Sequence, residues 1–387
     1  MDIGGDFTWA PCEDFLPGRY ISPTDPLRCH ATEAFASTAP SAANPASPGI
    51  GQATRATALA FSASRDVALA QPTAFPAGAV AVASGRQALG LVARVLRNRG
   101  INRILVPAYY CLTMIEPFQL EGISIQHVPV GTDLLPDPAA LHAATEHTPG
   151  AAILFSTTCG NTPRPALAAL LSVQAERGRA IVADITHAGP GTPPPDFATY
   201  TVLSLRKWLP IPDGAWAHAA RGAAALPTPT LPSPDDRVTT LKLAGLRGTP
   251  SSEAEEAVDA AREPTAISAA ARHLLAALDI ARIMRRRRQH AAILVDYLQA
   301  AGVPAQAIIA ASAYTVALRT PHAEQAAQRL AQEHVYTPMY WPRPSGFPHV
   351  WPDVMALPID QRLDASALRR VASAAVRATS AAVPGRQ

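Results

Sequence analysis

Lysine is nearly missing from this chain. Of its 33 basic residues only Lys207 and Lys242 are lysines, the rest being arginine. A composition rich in Ala and Pro favours Arg over Lys. A lysine kept against that bias is a candidate for chemistry that a guanidinium cannot do, because an ammonium gives up its proton when buried. Charge is scarce as well: 16% of residues are charged and the formal net charge is +3, which excludes the basic face that nucleic-acid binding requires. The one basic run, Arg285–Arg288, sits in "AALDIARIMRRRRQHAAILVDYLQAAG", where apolar residues recur at helical spacing, so a solvated helix face is expected there. Cysteines number four, Cys12, Cys29, Cys111 and Cys159, with no close pair of the kind that builds a zinc site, and no metal is expected. Long apolar runs are absent too, and "MDIGGDFTWAPCEDF" has neither a basic start nor an apolar stretch. The expectation is a cytoplasmic protein with free thiols and no membrane partner.

At 387 residues the chain is long enough for one large and one smaller domain. Residues 31–60 are rich in small residues and proline without periodicity, so residues 1–77 are read as an irregular amino-terminal segment. From residue 78, short apolar runs alternate with helical patterns, the mark of a βαβ succession and a mostly parallel sheet. Strands are expected in "AGAVAVA", "RILVPAYY", "SIQHVPV", "AAILFSTTCG", "RAIVADITHAG" and "ATYTVLSLRKWL". Helices are expected in the stretch that ends at Gly100, in "CLTMIEPFQLEG" and in "PALAALLSVQAERG". The organisation that follows is an α/β fold: a large domain over 78–250, connecting helices over 251–290 within a long helical region of about 252–300, and a smaller α+β domain over 291–387.

Ligands of open α/β sheets bind beyond the carboxyl ends of the strands, and Ser84, Tyr109, Thr158, Asp184 and Lys207 all fall at or just after such ends. Asp184 follows four residues that should be buried, where a carboxylate is costly unless it meets a cation or donor. It could cap the next turn; alternatively it could meet a ring nitrogen and keep a pyridinium protonated, as pyridoxal phosphate requires. His187, three residues on, could touch the same ring. Lys207 is the choice for a Schiff base with a cofactor aldehyde, since Lys242 has no strand leading into it; the plainer alternative for Lys207 is an ion pair with Asp213. Ser84 and Gly85 stand where a helix begins, an arrangement that suits a phosphate, and Ser204 could add a hydroxyl to it.

In this order the segments "VASGRQ", "VPAYYC", "TTCGNTP", "VADITHA", "SLRKWLPIPDG" and "LPIDQR" resemble the DegT/DnrJ/StrS-type aminotransferases, over roughly residues 78–380. The resemblance implies a fold type I pyridoxal phosphate-dependent transferase. It further implies that Lys207 is the Schiff-base lysine, that Asp184 partners the pyridine nitrogen and that His187 lies near the ring hydroxyl. Gly85 and Arg86 match the phosphate-binding helix start, and Ser204 the phosphate serine. Where the family has a stacking aromatic this chain has Cys111, flanked by Tyr109 and Tyr110, one of which would take over the stacking. The "MYWPRP" and "LPIDQR" segments look like those that close over the site. The implied reaction moves an amino group from an amino-acid donor to a keto or aldehyde acceptor, in a homodimer. Elimination, decarboxylation or aldol chemistry with the same cofactor, and a scaffold without activity, are the competing readings.

Overall fold

The structure, a computed structural model, describes residues 74–232, 236–246, 257–258, 262–338 and 341–380. The irregular segment expected before residue 78 lies almost wholly outside them, as do Cys12, Cys29, Met339 and Tyr340.

Seven strands form the main sheet: β1 (Val80–Val82), β2 (Arg103–Pro107), β3 (Ser124–Val128), β4 (Ala152–Ser156), β5 (Ile181–Asp184), β6 (Tyr200–Ser204) and β7 (Ala215–Ala219). Their spatial order is β1-β7-β6-β5-β4-β2-β3. The pairs from β6 across to β3 are parallel, and β7 is antiparallel to both its neighbours. The central strands read as continuous apolar runs because both of their faces are covered. Ile153, Phe155, Ile181, Ala183 and Leu203 pack into one core, while Leu154, Val182 and Val202 pack into the other. Each such side chain contributes roughly 1.5–3 kcal/mol by leaving water. Helix α1 (Gly85–Asn98) buries a broad face that includes Leu89, Leu91, Val92, Val95 and Leu96. It stops where Gly100 takes a φ of +80°, a conformation that favours glycine. Helix α2 (Leu112–Leu120) and α4 (Pro165–Glu176) fall where the sequence pattern puts them.

Elements that were not anticipated include the following two. Helix α3 (Pro138–His147) begins at Asp137, which caps it by accepting the Ala140 N–H at 2.8 Å; its two buried residues, Leu141 and Thr145, leave little apolar period to read. Strand β7 follows the Asp213–Gly214 turn with the sequence AWAHA, which has no clean alternation. Beyond it come α5 (Asp236–Leu246), α6 (Ala269–Ala277) and α7 (Ile280–Ala300). The long helical region expected over 252–300 is thus divided, because Leu278 leaves helical geometry and Asp279 starts α7 afresh by accepting the Arg282 N–H at 2.9 Å. Helix α7 then runs unbroken through position 290. A second sheet, β8 (Ile308–Ala311), β9 (Val316–Arg319) and β10 (Val354–Leu357), is antiparallel in the order β10-β9-β8. With α7, α8 (Ala323–Gln332) and α9 (Ala365–Ser380) it encloses a core of its own.

The basic run does not lie wholly on a helix surface. Arg285 and Arg288 are exposed, but Arg287 is 3% exposed. Its Nε donates to the Ala313 carbonyl at 2.9 Å, one terminal nitrogen donates to Gln361 Oε1 at 3.2 Å, and its guanidinium carbon lies 4.9 Å from the centre of the Trp208 ring. Hydrogen-bond acceptors and an aromatic face make burial of this one guanidinium tolerable. Among the described residues no helix is long and apolar enough to cross a membrane.

Candidate active site

With only β7 reversed, β1, β2, β4, β5 and β6 all present their carboxyl ends to one edge. Strand β2 leads outward to β3 while β4 leads the other way to β5, and the cleft opens beside this change of direction. It is lined by Met114, Ser156, Thr157, Thr158, Asp184, Thr186, His187, Lys207 and Trp341, around about 260 Å³ of empty space that includes open solvent. Lys207, Asp184 and His187 therefore meet in one place. Among the described residues no cluster of potential metal ligands occurs.

Asp184 ends β5 and is 8% exposed. Burial pushes its carboxyl above the ordinary range, against the pull of Thr186 hydrogen bonds and the Lys207 charge. The Thr186 N–H donates to Asp184 Oδ1 at 2.9 Å, so the turn after β5 aims the carboxylate. Thr186 also ties β5 to the lysine's strand. Its Oγ1 accepts the Ser204 N–H at 3.1 Å, and its carbonyl accepts the Trp208 indole N–H at 2.6 Å. Lys207 closes a short 3₁₀ turn, Leu205–Lys207, between those two residues. Burial works against its ammonium, negative charge nearby, including that of the Asp184 carboxylate, works for it, and the amine holds its proton above the usual lysine value. The ion pair with Asp213 is not formed: Asp213 is buried and accepts the Ser268 N–H at 2.9 Å, at the start of α6.

Ser84 caps α1, accepting the Gln87 N–H at 3.3 Å. The next residue shows why glycine stands there: a Cβ on Gly85 would meet the Ser204 Cβ at 3.1 Å. The helix start and the end of β6 thus form one cradle, in which the first-turn N–H groups and helix dipole favour an anion. The Arg86 side chain is directed to Glu116, with a closest approach of 3.3 Å.

His187 accepts the Cys159 N–H on Nδ1 at 3.1 Å, an arrangement that leaves the proton of a neutral ring on Nε2. Burial, then the Lys207 charge, holds its pKa well below the ordinary value. The donor comes from a strained turn. Cys159 has a φ of +57°, and Gly160 at +81° has no room for a side chain, since a Cβ would lie 2.5 Å from the Ser312 Cβ and 3.1 Å from the His187 carbonyl. The Ser312 hydroxyl donates to the Cys159 carbonyl at 2.8 Å, so the turn before β9 locks onto the main sheet.

Three further residues complete the site, of which Tyr314 and Arg287 were not singled out by the sequence. Tyr314 stacks on His187 with ring centres 4.0 Å apart and planes 15° apart, and lies 5.4 Å from Trp208. Trp341 lines the cleft 5.9 Å from His187. Arg287 secures the Tyr314 turn through Ala313. Tyr109 packs against Trp341 and Trp351 at 4.9 and 5.1 Å, directly behind the cleft wall, and Tyr110 stacks on His127 at 5.0 Å. The ring at the cleft wall is Trp341, which belongs to the "MYWPRP" segment that the resemblance places over the site.

A mostly parallel sheet with one reversed strand, joined to a smaller antiparallel sheet, is a fold that solved structures of aminotransferases share. A putative sugar aminotransferase, Spr1654 from Streptococcus pneumoniae in its PMP form, aligns with a TM-score of 0.55 at 18% identity, over 79% of this chain and 88% of its own. DesI in the presence of its TDP-sugar product gives 0.53 at 18%, over 78% and 80%. The sugar aminotransferase CalS13 from Micromonospora echinospora gives 0.52 at 19%, over 76% and 86%. No protein-family profile and no curated protein sequence matches the chain. The likeness is one of fold.

Proposed function

We propose that the protein is a pyridoxal phosphate-dependent aminotransferase, moving an amino group from an amino-acid donor to a keto or aldehyde acceptor. The observation that carries this reading is the convergence of a buried aspartate, a scarce lysine and a histidine on one cleft, next to a glycine–serine cradle at a helix start. The chemistry of this donor set fits the cofactor. Ser84, Gly85, Arg86 and Ser204 would hold its phosphate, chiefly through backbone N–H groups, and Asp184 its ring nitrogen. His187 Nε2–H would face its ring hydroxyl. Lys207 would hold its aldehyde carbon. When bound, the cofactor supplies an electron sink for bond breaking at the donor α-carbon.

The chain's own residues supply the rest. Asp184, its carboxylate aimed by the Thr186 N–H and screened from water by burial, would favour a protonated ring nitrogen. The Lys207 amine would be the group placed to take up and return a proton at the donor α-carbon. His187, neutral by burial, donates without bringing a charge to the ring. Trp341 limits water on the open side. The homodimer and the sugar-like or secondary-metabolite acceptor are part of the same proposal.

The test is the visible absorption spectrum of purified protein with added pyridoxal phosphate, for wild type and Lys207→Ala. A wild-type band that borohydride fixes, with Lys207→Ala losing it together with about 10²–10⁴-fold of turnover, supports the reading. No band and no uptake would overturn it. Amino-donor trials then separate amino transfer from the other reactions of the cofactor, and light scattering checks the dimer.

A further inference from the structure

The turn that presents Asp184 and His187 contains a hydroxyl with no part in the chemistry above, that of Thr186. Strands β5 and β6 are paired as far as Asp184 and Val202, and the Ile185 N–H closes the ladder on the Val202 carbonyl at 2.9 Å. The next donor on that side of β6 is the Ser204 N–H. The carbonyl that would continue the ladder, that of Ile185, has turned away and accepts the Ala188 N–H at 2.9 Å. Ser204 is 3% exposed, so its N–H needs a partner inside the protein. The Thr186 hydroxyl takes the place of the missing carbonyl and accepts that N–H at 3.1 Å.

An accepting hydroxyl still has its own proton to give. The acceptor on its own turn is the Asp184 carboxylate, whose Oδ1 already takes the Thr186 N–H at 2.9 Å and which the Thr186 hydroxyl also reaches. A third bond leaves from the same residue, since its carbonyl accepts the indole N–H of Trp208 at 2.6 Å. Trp208 is fully buried, and a Cβ on Gly189 would lie 2.7 Å from its ring, so the turn packs on the residue next to Lys207 at both of its ends. We infer that Thr186 is a positioning residue, whose hydroxyl joins the Asp184 carboxylate to the Ser204 N–H and so sets the ring end and the phosphate end of the cleft as one piece. The inference rests on the functional reading above for the roles of Asp184, Ser204 and Lys207. The charged group that acts on Asp184 from the facing strand is Lys207, and His187 on its own turn is held neutral by burial.

The coupling can be read in the full chain without cofactor. A hydroxyl that donates to an ionised carboxylate becomes a better acceptor. The ¹⁵N signal of the Ser204 amide should therefore move with pH on the same midpoint as the Asp184 carboxyl carbon, in wild type and in Thr186→Ser. In Thr186→Val, which keeps the shape and removes the hydroxyl, the movement should shrink several-fold, and in Asp184→Asn it should vanish. A Ser204 signal that ignores the carboxyl in wild type, or follows it equally in Thr186→Val, would overturn the inference. Thr186→Ala also lacks the hydroxyl and takes the place of Thr186→Val in the comparison should that variant not fold. With pyridoxal phosphate added, absorbance titration should show several-fold weaker binding by Thr186→Val and near-normal binding by Thr186→Ser; equal binding by all three would overturn the positioning role. A wild type that takes up no pyridoxal phosphate would end the aminotransferase reading instead, and the amide signal would still decide whether the hydroxyl joins the two ends.

Discussion

The wall of the cleft formed by the ends of β4, β5 and β6 places its polar groups through the sheet itself. Register sets Ser156 beside Asp184, and the turns that follow carry Thr158, His187 and Lys207. The facing wall is made differently. Tyr314 and Trp341 arrive on loops of the second sheet; the Tyr314 turn is held by a few side-chain bonds, Ser312 on Cys159 and Arg287 on Ala313, and the Trp341 carbonyl accepts the Trp351 indole N–H at 2.9 Å. The first wall inherits the stiffness of a buried parallel sheet, whereas the second depends on a few polar bonds whose removal leaves buried groups unpaired. On the proposed reading, chemistry would fall to the stiff wall and closure to the jointed one.

Substitutions can set the two walls against each other. The largest effect after loss of Lys207 is expected at the joint. Gly160→Ala puts a Cβ into contact with Ser312 at a φ of +81°, and should cost at least about 1–3 kcal/mol of stability while displacing the Cys159 N–H from His187. Chemical denaturation, with cofactor retention measured alongside, checks it; unchanged stability would mean that the two sheets are less tightly joined than described. A smaller effect of opposite sign is expected within the stiff wall. Asp184 has its folded pKa raised by burial, so its ionised form opposes folding of the cofactor-free protein, and stability falls as pH rises from the ordinary carboxylate range through the folded value. Asp184→Asn should therefore stabilise the cofactor-free protein at neutral pH, lose that advantage below the ordinary carboxylate pKa, and bind the cofactor more weakly. Thermal melts across pH read the first part and absorbance titration the second. The smallest effect is expected at His187. Because burial holds its pKa well below the ordinary value, it stays neutral on either side of pH 6.5, and His187→Gln should leave the acid limb of the activity profile in place while changing its height. A limb that moves would assign the charge change to His187.

The same contrast explains how much could be read without the structure. Asp184 and Lys207 announced themselves because each closes an apolar run, where a charged residue needs a reason. The Ser84–Gly85 helix start was legible as a cap, and its nearness to Ser204 became visible only when β1, β7 and β6 lay side by side. Tyr314 carried no signal, for "SAYTVALRT" reads as an ordinary strand and nothing local shows that its turn crosses to the other sheet. Arg287 misled through its neighbours: Arg285 and Arg288 are exposed on the same helix, and a run of four arginines looks uniform until packing singles one out. Strand β7 hid behind a turn and a short alanine-rich sequence. Tyr109 and Tyr110 were noticed as aromatics, but which rings they meet depends on Trp341, Trp351 and His127, all distant in sequence.

The bond from Ser312 to the Cys159 carbonyl joins positions 153 residues apart. In folding terms it closes a long loop, whose entropy must be lost before the contact gives anything back. The parallel sheet can gather its strands first, yet the turn that presents the Cys159 N–H to His187 is secured only when the second sheet docks. Competence to bind a cofactor should therefore lag behind the appearance of secondary structure during refolding, and the site serves as a marker that the two halves of the chain have found each other.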